Sequence, residues 1–364
     1  MKAFQLSLPG PTEYDPEVLQ ALYQPNLPHY GDIWMEIYEQ ILSRLKQVYQ
    51  TDGTVYVIPS SGSGALDAVF CSLGPKRGLI LHNGTFGDRI ATIAGRHLAH
   101  RTIIEKAPGE PLPLEEIERT LNEDDYDLLA VVHGETSTGM MNPLDDLAAL
   151  CRQKDLLFIV DAISSFGGVP LAVDAQGIDF CISASQKALG CLPGLATVSI
   201  SQKGWDAMPP EDEIHSWYLN LRTWAYYEKA WGDWHPYPIT LPVHLFYVLD
   251  KALELILQEG LEARWQRHQQ VAEQLYQDLE ALGISLFIED KSYRLPTVTA
   301  GVLPEGFSSE GLQKFLREHY GIMVAGGVGP LRKSVFRIGH MGYSAQPWLV
   351  NRVVSAIRDY LHTK

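Results

Sequence analysis

The chain has 364 residues, 46% of them hydrophobic, and its 29 basic and 44 acidic side chains leave a net charge of −15. That length exceeds one typical domain and predicts one large and one smaller unit around a sizeable core. The acidic balance argues against nucleic acid or an anionic membrane surface as a partner.

The N-terminal stretch MKAFQLSLPGPTEYDPE lacks the long apolar region of a signal peptide, so residues 1–20 read as a lead-in segment. From there a large domain is expected over 21–258, in which short apolar runs alternate with helical stretches. TVYVIP (54–59) precedes GALDAVFCSLG, and GLILHN (78–83) precedes GTFGDRIATIAGRHLAH. DLLAVVHGE (127–135) precedes PLDDLAALCRQKD, and LLFIVDA (156–162) precedes a Gly-rich loop. Apolar strands separated by helices indicate βαβ units and a parallel sheet covered on both faces. The stretch 241–283 is helical and amphipathic with a break near Gly260, and residues 259–364 then mix strands and a helix over 309–319 as a smaller α+β domain. No apolar run approaches membrane-spanning length. Cys71, Cys151, Cys181 and Cys191 form no CxxC and no metal-ligand spacing, and read as reduced core residues of a cytoplasmic protein.

Five places carry chemistry. Residues 59–68, PSSGSGALDA, form a Gly/Ser turn opening a helix. The free N–H groups and positive dipole end of a helix N-terminus suit a phosphate, although such turns also occur without a ligand. The glycines of GxGxxG and the Lys-Ser/Thr of a P-loop are missing. Phe86, in the Gly-flanked loop HNGTFGDR, either packs on the core or stacks on a planar ligand. Asp161 closes LLFIVD where a parallel sheet presents its ligand site. It is either a turn or helix-capping acid, or a carboxylate that keeps a ring nitrogen protonated.

Lys187, in SASQKALGCLPG, sits among small and apolar neighbours. Lysine is rarely buried without a partner, and burial favours its neutral form. It is therefore either a plain loop lysine or a nitrogen kept neutral and nucleophilic. Arg337 interrupts an apolar strand in VFRIGHMG. A buried arginine needs an anion, either an internal acid or a substrate carboxylate held bidentately. Of the histidines, His133 is the one expected to line a pocket; His29, His82, His97 and His100 show no metal-ligand spacing. The aromatic segment 217–237 reads as core and interface packing. Phosphate cradle, aromatic, acid, lysine and arginine are together the parts of a pyridoxal-phosphate enzyme.

On the blocks HGETSTGMMNPLDDL, VDAISSFGGVPL, GIDFCISASQKALGCLPG, RLPTVTA and FRIGHMG, the chain resembles class V, fold-type I aminotransferases of the alanine–glyoxylate/serine–pyruvate group. The likeness runs from residue 8 to residue 342. It implies an α/β fold: a mostly parallel central sheet flanked by helices, with a smaller C-terminal α+β domain. It implies pyridoxal 5′-phosphate bound as a Schiff base to Lys187, which then moves the substrate's proton, with Gln186 beside it. Asp161 would face the pyridine nitrogen, Ile163 would be among the cofactor contacts, and Phe86 would stack where animal members have tryptophan. Ser61, Gly62 and Ser63 fall on the phosphate cradle, Ser63 standing where animal members carry histidine. Thr136 falls where a hydroxyl meets the ring's phenolic oxygen, and Arg337 on the substrate-carboxylate arginine. Tyr237 and Thr240 match positions that reach the phosphate from a neighbouring subunit, which implies a homodimer with shared active sites.

The implied reaction moves an amino group from alanine or serine to glyoxylate or pyruvate. Pyridoxamine–pyruvate, 2-aminoethylphosphonate–pyruvate and ureidoglycine–glyoxylate transaminases share parts of these blocks. The pyridoxamine enzymes carry a glutamate where this chain has Ser61. Cysteine desulfurases need a late nucleophilic cysteine, and none follows Cys191. A non-catalytic phosphate- or nucleotide-binding α/β protein is the alternative from another class.

Overall fold

Runs such as LLAVV and LFIVD have no polar face to turn to water, so they are stable as strands only where both sides are covered. In the computed structural model, which describes residues 4–363, they form the middle of a seven-stranded sheet. The elements that build this sheet and its site edge include α1 (Asp32–Tyr49), β1 (Thr54–Ile58), α2 (Gly62–Leu73), β2 (Arg77–His82), α3 (Thr85–His97), β3 (His100–Glu105), β4 (Leu128–Val132), β5 (Leu157–Asp161), β6 (Phe180–Ala184) and β7 (Ala196–Ile200). The sheet order is β1-β7-β6-β5-β4-β2-β3. Only β7 runs antiparallel to its neighbours. Because β7 is antiparallel to both β1 and β6, those two strands point the same way. The carboxyl ends of β1, β2, β4, β5 and β6 therefore share one edge, and ligands of such sheets bind beyond that edge.

The second half begins with two helices, α4 (Val243–Glu259) and α5 (Leu261–Ala281), which meet at Gly260. A four-stranded antiparallel sheet follows, built from β8 (Ser285–Leu286), β9 (Val298–Val302), β10 (Ala325–Gly326) and β11 (Val335–Gly339) in the order β8-β9-β11-β10. The helix α6 (Pro347–Leu361) closes the unit. The helix expected over 309–319 runs Ser309–Phe315 and then widens to π geometry over Leu316–Tyr320. This mostly parallel sheet with a smaller α+β unit is the architecture the resemblance implied.

Burial separates two apolar cores. One gathers residues from Val18 to Ile256 and the other residues from Val271 to Tyr360. Between them a small cluster joins Val169 and Ala188 to Leu295, Val298 and Met341. The N-terminal strand Gln5–Leu6 pairs in parallel with Ile322–Met323. Beyond it, Thr12 donates through Oγ1 to Met341 O at 2.8 Å and through its amide to Gln186 O at 3.3 Å. The lead-in segment thus ties the second unit to the Lys187 loop. No helix among the described residues is long and apolar enough to cross a membrane.

Candidate active site

Side chains scattered over more than a hundred residues meet because each follows a strand at the same sheet edge. Ser61 is the N-cap residue of α2 after β1, Phe86 lies in the first turn of α3 after β2, and Thr136 follows β4. Asp161 ends β5 and lies level with Ile182 of β6, whose connection to β7 carries Lys187. The result is a cavity of about 270 Å³ lined by Ser61, Gly62, Ser63, Phe86, Thr136, Asp161, Ile163, Gln186 and Lys187. Three larger depressions, of about 660, 970 and 480 Å³, lie elsewhere and include neither Lys187 nor Asp161.

Lys187 Nζ donates to the Pro9 carbonyl and lies 6.0 Å from the centre of the Phe86 ring. Burial, reinforced by the nearby Arg337 cation, lowers its ammonium to about 8. Asp161 accepts one hydrogen bond, from the Ile163 amide to Oδ1 at 2.9 Å; its second oxygen has none among the described residues. Burial pushes its carboxyl up to about 7. Gln186 Oε1 is buried with no hydrogen-bond partner among the described residues. A buried acceptor without a donor is costly. Gln186 lines the same cavity as the half-satisfied aspartate.

Two glycines leave room for this arrangement. A methyl group at Gly62 would lie 2.4 Å from Ile163 Cδ1. At Gly10, where φ is +107°, it would lie 2.5 Å from Lys187 Cδ. Only glycine fits such a backbone with so close a neighbour.

Arg337 in β11 is buried and donates through Nε to Gly326 O and through Nη1 to Thr136 O, each at 2.9 Å. Its third nitrogen, Nη2, makes no hydrogen bond among the described residues. Burial lowers its pKa to about 10, and Glu135 opposes that shift. The internal acid that could have neutralised it is therefore close without being hydrogen-bonded to it.

A model of the family "Aminotransferase class-V" matches residues 12–338. This chain is a class V aminotransferase. The mouse (Mus musculus) alanine–glyoxylate aminotransferase is 35% identical over 360 residues, covering 97% of this chain and 86% of the mouse protein. Among solved structures, alanine–glyoxylate aminotransferase from Nostoc sp. superposes with a TM-score of 0.93 at 34% identity, over 99% of this chain and 96% of that one. Pyridoxamine–pyruvate aminotransferase from Mesorhizobium loti superposes with a TM-score of 0.94 at 28% identity, over 100% of this chain and 93% of that one.

Not every residue singled out in the class V aminotransferase sequence meets the cavity. His133 does not line it. Residues alternate sides along an extended backbone, so while Val132 and Gly134 line the cavity, the His133 ring is buried elsewhere, its pKa lowered to about 4 by that burial. Tyr237 is buried and its hydroxyl donates to His29 O, while exposed Thr240 lines a separate depression. Neither reaches the cavity of its own chain.

Conversely, Arg89, Glu135, Pro9 and Gly10 were not assigned from the sequence. Arg89 lies one helical turn after Phe86, its guanidinium 4.8 Å from that ring and its Nη1 3.3 Å from Ser63 Oγ. The i, i+3 spacing on a helix is the signal that could have found it. Glu135 is fully buried and takes hydrogen bonds from the Phe86 and Gly87 amides at 3.0 Å each.

Proposed function

We propose that the cavity binds pyridoxal 5′-phosphate and that the enzyme moves an amino group from alanine or serine to glyoxylate or pyruvate. The observation that carries this reading is Lys187 and Asp161 in one buried cavity, the lysine easily neutralised and the aspartate half-satisfied. The residues present fit the cofactor. The backbone donors at Ser61, Gly62 and Ser63 open α2 and suit its phosphate, with Arg89 supplying positive charge beside Ser63. Phe86 and Ile163 offer apolar contact for a flat ring, and Gln186 and Thr136 offer polar partners at its edge. Once bound, the cofactor would act as an electron sink that makes the substrate's α-proton acidic.

This chain's own groups do the rest. Asp161 holds a proton at the ring nitrogen. Lys187 would anchor the cofactor, and its neutral nitrogen would carry the substrate's α-proton as general base. A pKa lowered to about 8 keeps a useful neutral fraction at working pH. Arg337 orients the substrate carboxylate with its free nitrogen. Tyr237 and Thr240 would complete the phosphate site of a second copy, making the working form a homodimer. Four free, buried cysteines support a cytoplasmic setting.

A second reading, pyridoxamine as amino donor, is favoured by the superposition on the Mesorhizobium loti enzyme. One experiment separates the two. Purified protein loaded with the cofactor is mixed in turn with alanine, serine, aspartate, aminoethylphosphonate and pyridoxamine, and the loss of the cofactor's near-visible band is followed. Alanine or serine should discharge the band fastest, and glyoxylate or pyruvate should restore it. Lys187→Ala should lack the band of the lysine-bound cofactor and lose at least about 10²-fold in turnover. A wild-type protein that never takes up the cofactor would leave a phosphate or nucleotide binder as the better reading.

A further inference from the structure

The chain passes from α4 to α5, and from the first core to the second, across a single residue, Gly260. Three charged side chains gather there. Glu259 accepts from Arg264 Nη1 at 2.8 Å, from Arg267 Nε at 2.5 Å and from Arg267 Nη2 at 3.0 Å. Both guanidinium groups then reach backbone carbonyls far away in sequence. Arg264 donates through Nε to Gly167 O at 2.8 Å and through Nη2 to Ala188 O at 2.7 Å. Gly167 belongs to the loop that follows Asp161, and Ala188 is bonded to Lys187. Arg267 donates through Nη1 to Gly342 O at 3.1 Å and Ala345 O at 2.6 Å, in the segment that follows Arg337.

His268 closes the network. Its Nδ1 lies 2.8 Å from Arg264 O, and its Nε2 accepts from the Gly342 amide at 3.0 Å. That pattern requires a neutral imidazole with the proton on Nδ1.

Apolar packing alone would not need this arrangement. Arg264 is only 6% exposed, and a buried guanidinium carries a large desolvation cost. An apolar residue of similar size would fill the same space more cheaply. What only arginine supplies is a rigid planar fork that holds two carbonyls and one carboxylate at fixed separations. The two carbonyls belong to the two loops on which the reacting geometry depends.

We propose that Arg264, anchored by Glu259, is a positioning residue that sets the Lys187 loop against the Asp161 loop, and that Arg267 does the same for the segment behind Arg337. The proposal rests on the roles given above to Lys187, Asp161 and Arg337. Misplacing a reacting group by about 1 Å can cost on the order of 10²-fold in rate. Loosening the Arg264 fork should therefore act on turnover, and loosening Arg267 should act on substrate binding.

The test uses the cofactor-loaded enzyme and the best donor from the panel above. Arg264→Gln and Arg267→Gln are compared for kcat, KM, melting temperature and the pH midpoint of the cofactor's absorption band, which reports the surroundings of Lys187. Arg264→Gln should lower kcat about tenfold or more and move the pH midpoint, with KM within about twofold of wild type. Arg267→Gln should raise KM and leave the pH midpoint in place. If both merely melt earlier, with kcat, KM and midpoint unchanged, the cluster is scaffold and the proposal fails. Should Arg264→Gln not fold, Arg264→Lys keeps the charge and can hold one carbonyl; a shifted midpoint supports the proposal and an unshifted one overturns it. A wild-type enzyme with no cofactor band would overturn the function proposed above instead.

Discussion

Asp161 trades stability for chemistry. Burial raises its carboxyl from 3.8 to about 7, while the unfolded chain ionises it near ~3.9. Between those values the folded protein binds a proton that the unfolded chain has lost. Stability from this group is therefore greatest at low pH and falls as pH rises through the window. The full gap is on the order of 4 kcal/mol above pH ~7. Replacing Asp161 by Asn removes the penalty, so the cofactor-free variant should resist urea better than wild type at pH 8, with the gain fading toward pH 4. A gain independent of pH would show that the strain lies elsewhere. The same variant lacks the charge that would hold a ring nitrogen protonated, so its turnover should drop by about 10²-fold or more. At this scale Asp161 and Lys187 each kept a benign reading in the sequence, a capping acid and a loop lysine, and only their combination with the Gly/Ser turn, Phe86 and Arg337 singled them out. His133 looked similar, but which side of an extended backbone faces a cavity is decided by the strand's neighbours, and its sequence does not record them.

The N-cap residue of helix α3 is Gly84, which has no side chain to cap the helix. Glu135 takes that place from another strand. Its Oε2 accepts the Phe86 and Gly87 amides, and its Oε1 accepts the Ser137 amide at 2.9 Å. A carboxylate at a helix N-terminus also meets the positive end of the helix dipole. In Glu135→Gln one of those oxygens becomes an NH₂ group facing amide donors. The loss should be about 1–3 kcal/mol, the cost of leaving buried donors unpaired, read as a lower urea midpoint. Because Phe86 sits in that first turn, the near-ultraviolet circular dichroism of bound cofactor should change as well; an unchanged signal would mean that the ring is held by other contacts.

The paired interaction also marks the limit of what the sequence disclosed about elements. Strands β1, β2, β4 and β5 were readable as continuous apolar runs bounded by turns. The edge strand β3, HRTIIE, was not, because it is largely exposed and carries charges. The cap on α3 was invisible because its donors and acceptor are 48 and 49 residues apart. The Arg264 fork was hidden for the same reason, since its partners Gly167 and Ala188 lie in other loops.

For the molecule as a whole, the open question in physical terms is what covers the aromatic segment around 217–237. Trp217, Tyr226, Trp231 and Trp234 are 54%, 57%, 39% and 43% exposed, and Tyr30 beside Trp234 is 48% exposed. Exposed apolar patches of this kind mark association surfaces. Tyr237 and Thr240 follow directly in sequence, and neither reaches the cavity of its own chain. If both facts have one cause, a second copy packs here and Thr240 enters its phosphate site. Mixing two defective variants tests this. In a Lys187→Ala chain paired with a Thr240→Val chain, one site carries both defects and the other carries neither. Each homodimer has every site defective: the first cannot bind cofactor covalently, and the second should retain it about 10–100-fold more weakly, as for a lost hydrogen bond to a charged group. Unfolding and refolding the two together should therefore create a particle of twice the chain mass that holds cofactor tightly in one of its two sites. If no second copy supplies Thr240, the Thr240→Val chain alone should hold cofactor as tightly as wild type, and mixing it with Lys187→Ala would then create no new tight site.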